Sequence, residues 1–155
     1  MRKLEKFSLY EAPGKGEVVF TFGRFNPPTT GHEKLINKVK SVAGSNDYKI
    51  FPSYTQNQNK DPLPHSLKIA YMRKMFSRHA RNIIADKKAL TAMNIATSLY
   101  DQGYTELTMV VGSDRVKEFE RLLTTYNNVK GKRHGFYNFK KIKVVSAGDR
   151  DPDAE

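Results

Sequence analysis

The sequence predicts an α/β fold, with one open parallel sheet of five strands and helices on both faces. Short apolar strands alternate with amphipathic helices five times along the chain, a pattern typical of this class. The first strand, residues 18–22, and the fourth, residues 107–111, are almost continuous runs of apolar residues without clear alternation. Strands of that composition are usually buried on both faces, as in parallel sheets. We therefore expect right-handed crossovers between parallel strands.

The other elements follow in order from residue 17, and no internal repeat or second domain is visible. Residues 1–16 form a mixed-charge N-terminal lead-in, and residues 17–155 form a single domain. Gly44 and Gly103 occupy the places where glycines commonly end helices. The sequence predicts helices over residues 33–43, 65–78, 90–102 and 115–126, and the remaining strands over residues 48–52, 82–85 and 142–146.

The composition excludes several classes of protein. The 155 residues are enough for one domain with a substantial core. The chain contains no cysteine, which rules out disulfides and thiolate metal sites. No apolar run approaches the ~18 residues of a membrane span, and no signal peptide is visible. We expect a soluble, cytoplasmic protein that does not bind membranes.

The net charge indicates a polyanionic partner. The chain holds 27 Lys and Arg against 16 Asp and Glu, for a formal charge of +11. Such an excess favours a nucleotide or a nucleic acid as ligand. It is concentrated in residues 60–88 and 130–143. A solvated basic surface without a specific partner is the alternative explanation for either cluster.

The segment after the first strand has the properties of a phosphate site. Gly23 permits a tight turn at the end of that strand, and two consecutive prolines stiffen the loop that follows. Thr29 or Thr30 caps the next helix, which places His32 in its first turn. A helix N-terminus offers N–H donors and the positive end of the helix dipole, both of which favour a phosphate.

This segment resembles the signature of the nucleotidylyltransferase superfamily, a Gly-x-Phe-x-Pro loop followed by [His or Thr]-x-Gly-His. From Phe7 onward the chain is similar, more narrowly, to cytidylyltransferase-like proteins encoded by large tailed phages, which would place it in the host cytoplasm. The resemblance implies a Rossmann-like sheet of order 3-2-1-4-5, with ligands bound where strand 1 meets strand 4. The matching residues are Gly23, Phe25, Pro27, Thr29, Gly31 and His32.

The resemblance also implies a reaction. Relatives transfer AMP or CMP from ATP or CTP to a phosphate-bearing small molecule and release pyrophosphate, with Mg²⁺ bound through the triphosphate. By analogy, His32 donates to the α or β phosphate, and Thr29 holds the phosphate that a first histidine holds in other relatives. The loop residues expected to line the nucleotide are Gly23, Arg24, Phe25, Asn26 and Gly31.

A second candidate segment follows the fourth strand, at Gly112, Asp114 and Arg115. Asp114 stands where it could simply cap the next helix. The family, however, carries Gly-x-Asp at the end of its fourth strand, lining the nucleotide site. We therefore expect these three residues to bind the nucleotide, with His32 and Asp114 facing one crevice from opposite sides.

The loop over residues 53–64 is longer than a usual strand-to-helix connection. It leaves a strand next to the first one, so it should overhang the same crevice. Lys60 is the residue expected to reach the acceptor or a phosphate, as a third catalytic residue beside His32 and Thr29. Simple disorder is the alternative for this loop. No protein-bound metal site is predicted, since the acidic residues 149–155 are more typical of a solvated end.

The family's third motif, Ile-Ser-x-Thr-x-x-Arg, follows the fifth strand, and nothing after Ser146 matches it. The domain is then a shortened version, or cations from residues 130–133 or from a partner subunit of a homo-oligomer substitute. A catalytically inactive scaffold or assembly protein is the main alternative function. A nucleic-acid-binding module is less favoured, because no groove-reading helix or RNA-binding strand motif is present.

Overall fold

The computed structural model describes residues 15–25, 28–54 and 64–148. Its core is a sheet of four strands in the order β2-β1-β3-β4, and every neighbouring pair is parallel. The strands are β1 (Glu17–Gly23), β2 (Asp47–Pro52), β3 (Glu106–Val111) and β4 (Lys141–Ser146). The helices are α1 (Thr30–Ala43), α2 (His65–Met75), α3 (Ala92–Asp101) and α4 (Val116–Thr125), with 3₁₀ turns at Ser77–Asn82 and Ser113–Arg115.

The prediction of five strands is wrong, and the sheet order differs from 3-2-1-4-5. The predicted third strand, residues 82–85, is absent because the 3₁₀ turn continues through Asn82. Only a single parallel bridge remains, between Ile83 and Ile50, with the Ile84 N–H donating to the Ile50 carbonyl at 2.8 Å. Too few residues run alongside β2 to build a ladder.

The sheet carries helices on both faces, as predicted. Successive side chains of a strand point to opposite faces. Val18 and Phe20 of β1 pack in a cluster with residues of α3 and α4, including Leu99, whereas Val19 packs with Val39 of α1. The central strand is thus buried from both sides, which explains why β1 lacks an alternating pattern.

The carboxyl ends of β1 and β3 meet at the point where the chain changes faces. These two strands are adjacent, and α1 follows β1 on one face while α4 follows β3 on the other. Ligands of open α/β sheets bind in the crevice at such a switch point. The adjacency of β1 and β3 therefore locates the candidate site even though the sheet has only four strands.

The segment between α4 and β4 begins and ends at the amino end of the sheet, opposite the carboxyl ends of β1 and β3. The Asn127 side chain bonds the backbone N–H and carbonyl of Phe139, at 2.9 and 3.1 Å. The Lys140 N–H donates to the carbonyl of Thr105, which directly precedes β3. The basic residues 130–133 therefore belong to a segment held at the amino end of the sheet, away from the carboxyl ends of β1 and β3.

No helix among residues 15–25, 28–54 and 64–148 is both long and apolar enough to cross a membrane.

A buried histidine joins α1, β2 and the first 3₁₀ turn. His79 is only 2% exposed, and its Nε2 lies 2.9 Å from Oδ1 of Asn37 while its Nδ1 lies 2.9 Å from the Tyr48 hydroxyl. Burial lowers the pKa of His79 below its usual value, and the charges of Lys40 and Arg78 lower it further. The folded protein therefore favours the neutral ring.

We expect the fold to lose stability when the pH falls below the ordinary histidine pKa of about 6.5. Below this pH the unfolded chain binds a proton at His79, whereas the folded protein, in which the pKa of His79 is lower, does not yet bind one. The stability that is present above the unfolded pKa is therefore lost as the pH falls through the pKa of His79 in the folded protein. Denaturant unfolding of wild type and His79→Gln at a series of pH values tests this. The difference in unfolding free energy should shrink on acidification; a constant difference would contradict the assignment.

Candidate functional site

The loop after β1 begins with a tightly packed aromatic residue. Phe25 is only 2% exposed and has a backbone φ of +49°, which is unusual for a residue other than glycine. Its ring folds back over Gly23, where a Cβ atom would lie 3.3 Å from the ring. The same ring meets the imidazole of His32 edge-on, with 4.8 Å between ring centroids. Gly23 therefore leaves room for Phe25, and Phe25 supports His32.

His32 is held in one orientation by the start of α1. Thr29, one of the two residues predicted to cap this helix, is the N-cap residue, and His32 is the third residue of the helix. The Thr29 backbone N–H donates to Nδ1 of His32 at 3.0 Å, and the Thr29 hydroxyl lies 3.2 Å from the same nitrogen. Since Nδ1 accepts this bond, the proton of the neutral ring is on Nε2. The distal nitrogen of His32 is thus a hydrogen-bond donor.

The first turn of α1 supplies further donors beside this imidazole. The N–H groups of Thr30 and Gly31 have no partner within the helix, as at any helix N-terminus, and the helix dipole favours an anion there. Arg24 is exposed at the start of the loop. Asn26, which the sequence assigned to this loop, lies outside the described residues.

The end of β2 is joined to the end of β1. Gly23 pairs with Pro52, and the Ser53 N–H donates to the Gly23 carbonyl at 2.7 Å. The Ser53 carbonyl in turn accepts a hydrogen bond from Nζ of Lys68 at 2.7 Å. Nδ1 of His65 lies 3.2 Å from the same oxygen, and burial followed by the charge of Lys68 lowers the pKa of His65.

The sequence pattern did not single out Lys68, which falls within the basic cluster of residues 60–88. Lys68 is nevertheless 0% exposed. It stands four residues before the buried Met72, so the helical period places it on the apolar face of α2. That spacing was a usable signal.

The segment after β3 differs from the prediction in detail. Asp114 is not the cap of α4, because it lies inside a 3₁₀ turn and the residue preceding α4 is Arg115. Asp114 is exposed. The Arg115 guanidinium bonds the Glu118 carboxylate at 2.8 Å and lies 4.8 Å from the centre of the Phe119 ring. Any contact of Arg115 with a nucleotide would therefore be made by a guanidinium that is already paired with Glu118.

The register of the sheet brings the two candidate segments to the same level. Phe20 of β1 pairs with Met109 of β3, and each stands three residues before a glycine, Gly23 and Gly112. The carboxyl ends of β1 and β3 therefore lie at the same height in the sheet. Lys60, the third predicted catalytic residue, lies outside the described residues.

A comparison with protein families matches residues 20–149 to the family described as cytidylyltransferase-like. The match extends from β1 to the end of β4 and covers well over half of the chain. The chain belongs to the cytidylyltransferase-like family. Membership in the cytidylyltransferase-like family indicates a nucleotidyltransferase in general. The match is to the family as a whole and does not test the resemblance to phage proteins. No match is found among curated proteins.

Proposed function

We propose that this protein transfers AMP or CMP from ATP or CTP to a phosphate-bearing small molecule and releases pyrophosphate. The observation that supports this most is the hydrogen bond from the Thr29 backbone to the ring of His32. Its Nδ1 accepts the Thr29 N–H, so its Nε2 is a donor next to the N-terminus of α1. This cluster stands at the switch point between β1 and β3. A preorganised group of N–H donors at that place favours phosphate oxygens.

Nucleotidyl transfer requires the protein to position the two substrates and to stabilise charge on the phosphate oxygens more than to form a covalent intermediate. A phosphate oxygen of the acceptor attacks the α-phosphorus in line, and the bond from that phosphorus to the pyrophosphate oxygen breaks. Negative charge grows on the α and bridging oxygens during this step. The Nε2–H of His32 and the N–H groups of Thr30 and Gly31 would stabilise that charge. The Thr29 hydroxyl and Arg24 would hold the neighbouring phosphate oxygens.

The magnesium ion is best treated as part of the nucleotide substrate. Among the described residues, no three His, Cys, Asp or Glu side chains come together to hold a metal ion. Triphosphate oxygens are good ligands for Mg²⁺, which keeps much of its hydration shell and commonly binds through substrate phosphates. Mg²⁺ would therefore enter with the triphosphate and offset its charge.

The nucleoside would lie over the end of β3, against Gly112, Asp114 and Arg115. We assign Lys60 to the acceptor or to a phosphate because its loop follows β2 in the sequence, and we assign Asn26 to the lining of the loop on the resemblance. Residues 130–133 are not assigned to the triphosphate, because their segment is anchored at the other end of the sheet.

Calorimetric titration with ATP and with CTP, each with and without Mg²⁺, tests this proposal directly. We expect one of the two nucleotides to bind, and to bind more tightly with Mg²⁺. The affinity should fall less with added salt than that of a short oligonucleotide, because backbone-phosphate binding is strongly salt-dependent. A pyrophosphate-release assay over a panel of phosphate acceptors follows. Absence of binding by either nucleotide would contradict the proposal and favour the inactive scaffold.

A further inference from the structure

Lys68 is a buried cation that the proposed mechanism does not use. Its side chain is 0% exposed, and its Nζ donates to the carbonyl of Ser53 at 2.7 Å. Removing an ammonium group from water is costly unless the group is bound to oxygen acceptors. A methionine or leucine would fill the same apolar face of α2 without that cost. The position of this lysine therefore points to a role for its hydrogen bond.

The carbonyl that Lys68 holds is also approached by His65. Nδ1 of His65 lies 3.2 Å from the Ser53 oxygen. Because a carbonyl oxygen only accepts hydrogen bonds, Nδ1 must be protonated to form this one. Two side chains from the first turn of α2 thus hold one oxygen of the segment that follows β2. Since a carbonyl oxygen has two lone pairs, both bonds can form together.

The Ser53 residue transmits this constraint to β1. Its N–H donates to the Gly23 carbonyl at 2.7 Å, one residue beyond the last strand pair of β1 and β2. The peptide unit is planar and trans, so fixing the Gly23 carbonyl also fixes the direction of the Arg24 N–H. Lys68 is therefore two hydrogen bonds away from the first peptide of the loop.

The contacts continue from Gly23 to the imidazole. The Phe25 ring packs over Gly23, and the same ring meets His32 edge-on with 4.8 Å between centroids. Nδ1 of His32 accepts the Thr29 N–H. A displacement of Gly23 would therefore reach the donor that we assign to the phosphate.

We propose that Lys68 is a positioning residue for the phosphate loop. By holding the Ser53 carbonyl it fixes the carboxyl end of β1, and through Phe25 it sets the orientation of His32. Lys68 acts through these groups and does not itself contact the nucleotide. This inference rests on the proposed function for its effect on rate, but its effect on His32 is independent of activity.

Lys68→Met and Arg73→Met form a matched pair for the test. Both residues are on α2, and each donates to a backbone carbonyl, since Nη2 of Arg73 bonds the Ile83 oxygen at 2.8 Å. Ile83 lies on the outer side of β2, away from the end of β1. We expect Lys68→Met to lower kcat by about 10²-fold, as misplaced catalytic groups do, with a change in nucleotide affinity of less than about tenfold. Arg73→Met should keep kcat near wild type.

The second readout is the NMR spectrum without substrate. Lys68→Met should shift the amide signals of Ser53 and Thr29 and the imidazole nitrogen signals of His32, whereas Arg73→Met should not. If Lys68→Met does not fold, Lys68→Arg, which retains a donor, should fold and keep the wild-type His32 signals. Unchanged His32 signals in a folded Lys68→Met would overturn the inference, as would displaced His32 signals in Lys68→Arg. Failure of the wild type to bind nucleotide would refute the proposed function but leave this readout intact.

Discussion

Replacing His32 with alanine is expected to lower the rate of nucleotidyl transfer by about 10²-fold to 10³-fold, the usual cost of removing one preorganised donor. The donor lost is the Nε2–H, which exists because Nδ1 accepts the Thr29 N–H at 3.0 Å. The same substitution removes a side chain that satisfies the N-cap backbone. We expect that loss to reduce the unfolding free energy by about 1 kcal/mol, as for other helix caps.

Two further variants separate the catalytic role of His32 from its role in the helix cap. The amide of His32→Asn can replace Nδ1 toward Thr29 but does not reach the position of Nε2. The amide of His32→Gln reaches that position. We therefore expect His32→Asn to keep stability and lose rate, and His32→Gln to recover part of the rate. Steady-state kinetics and thermal unfolding of the variants provide the measurement. A wild-type rate for His32→Asn would mean that His32 acts only as a cap.

The central strands and the first loop could be predicted because their signals are local. Nearly continuous apolar runs before Gly23 and Gly112 identified β1 and β3, and the structure extends the predicted strands by one or two residues. Helix α1 begins three residues before its predicted start, because the apolar stripe begins after the capped first turn. The capping residue itself, Thr29, was among the predicted candidates.

The missing strand shows the limit of such local signals. Ile83 and Ile84 have strong β-propensity, but a strand also requires a run of residues alongside a neighbour. Here the preceding 3₁₀ turn continues through Asn82, and only one bridge to Ile50 forms. How many residues can pair with β2 depends on how the whole segment packs. The composition of residues 82–85 alone therefore cannot predict whether a strand forms.

The site shows the same division between local and distant contacts. The ion pair of Arg115 with Glu118 joins residues three apart in sequence, so it could have been foreseen from helical spacing. The bond from Lys68 to Ser53 spans fifteen residues and depends on how α2 lies against the end of β2. A lysine on an apolar face indicates that some acceptor is present, but not which one.

Phe25→Ala is expected to combine a large loss of stability with a loss of activity. Phe25 is 2% exposed and belongs to a buried cluster with Ile36 and Met72. Removing such a ring costs about 3 to 5 kcal/mol of unfolding free energy. The backbone at Phe25 has φ of +49°, a conformation that itself costs about 1 to 3 kcal/mol for residues other than glycine. The alanine variant keeps that cost and loses the packing that offsets it.

Phe76→Ala is the matched control for this prediction. Phe76 is also 2% exposed and lies in the same cluster, but its ring is not in contact with His32 among the described aromatic pairs. Both variants should lose similar unfolding free energy in denaturant titrations. At a temperature where both remain folded, only Phe25→Ala should also lower kcat, because His32 loses the ring that supports it. Equal kcat values for the two variants would show that Phe25 stabilises the fold without orienting His32, and that the Thr29 N–H alone holds the imidazole.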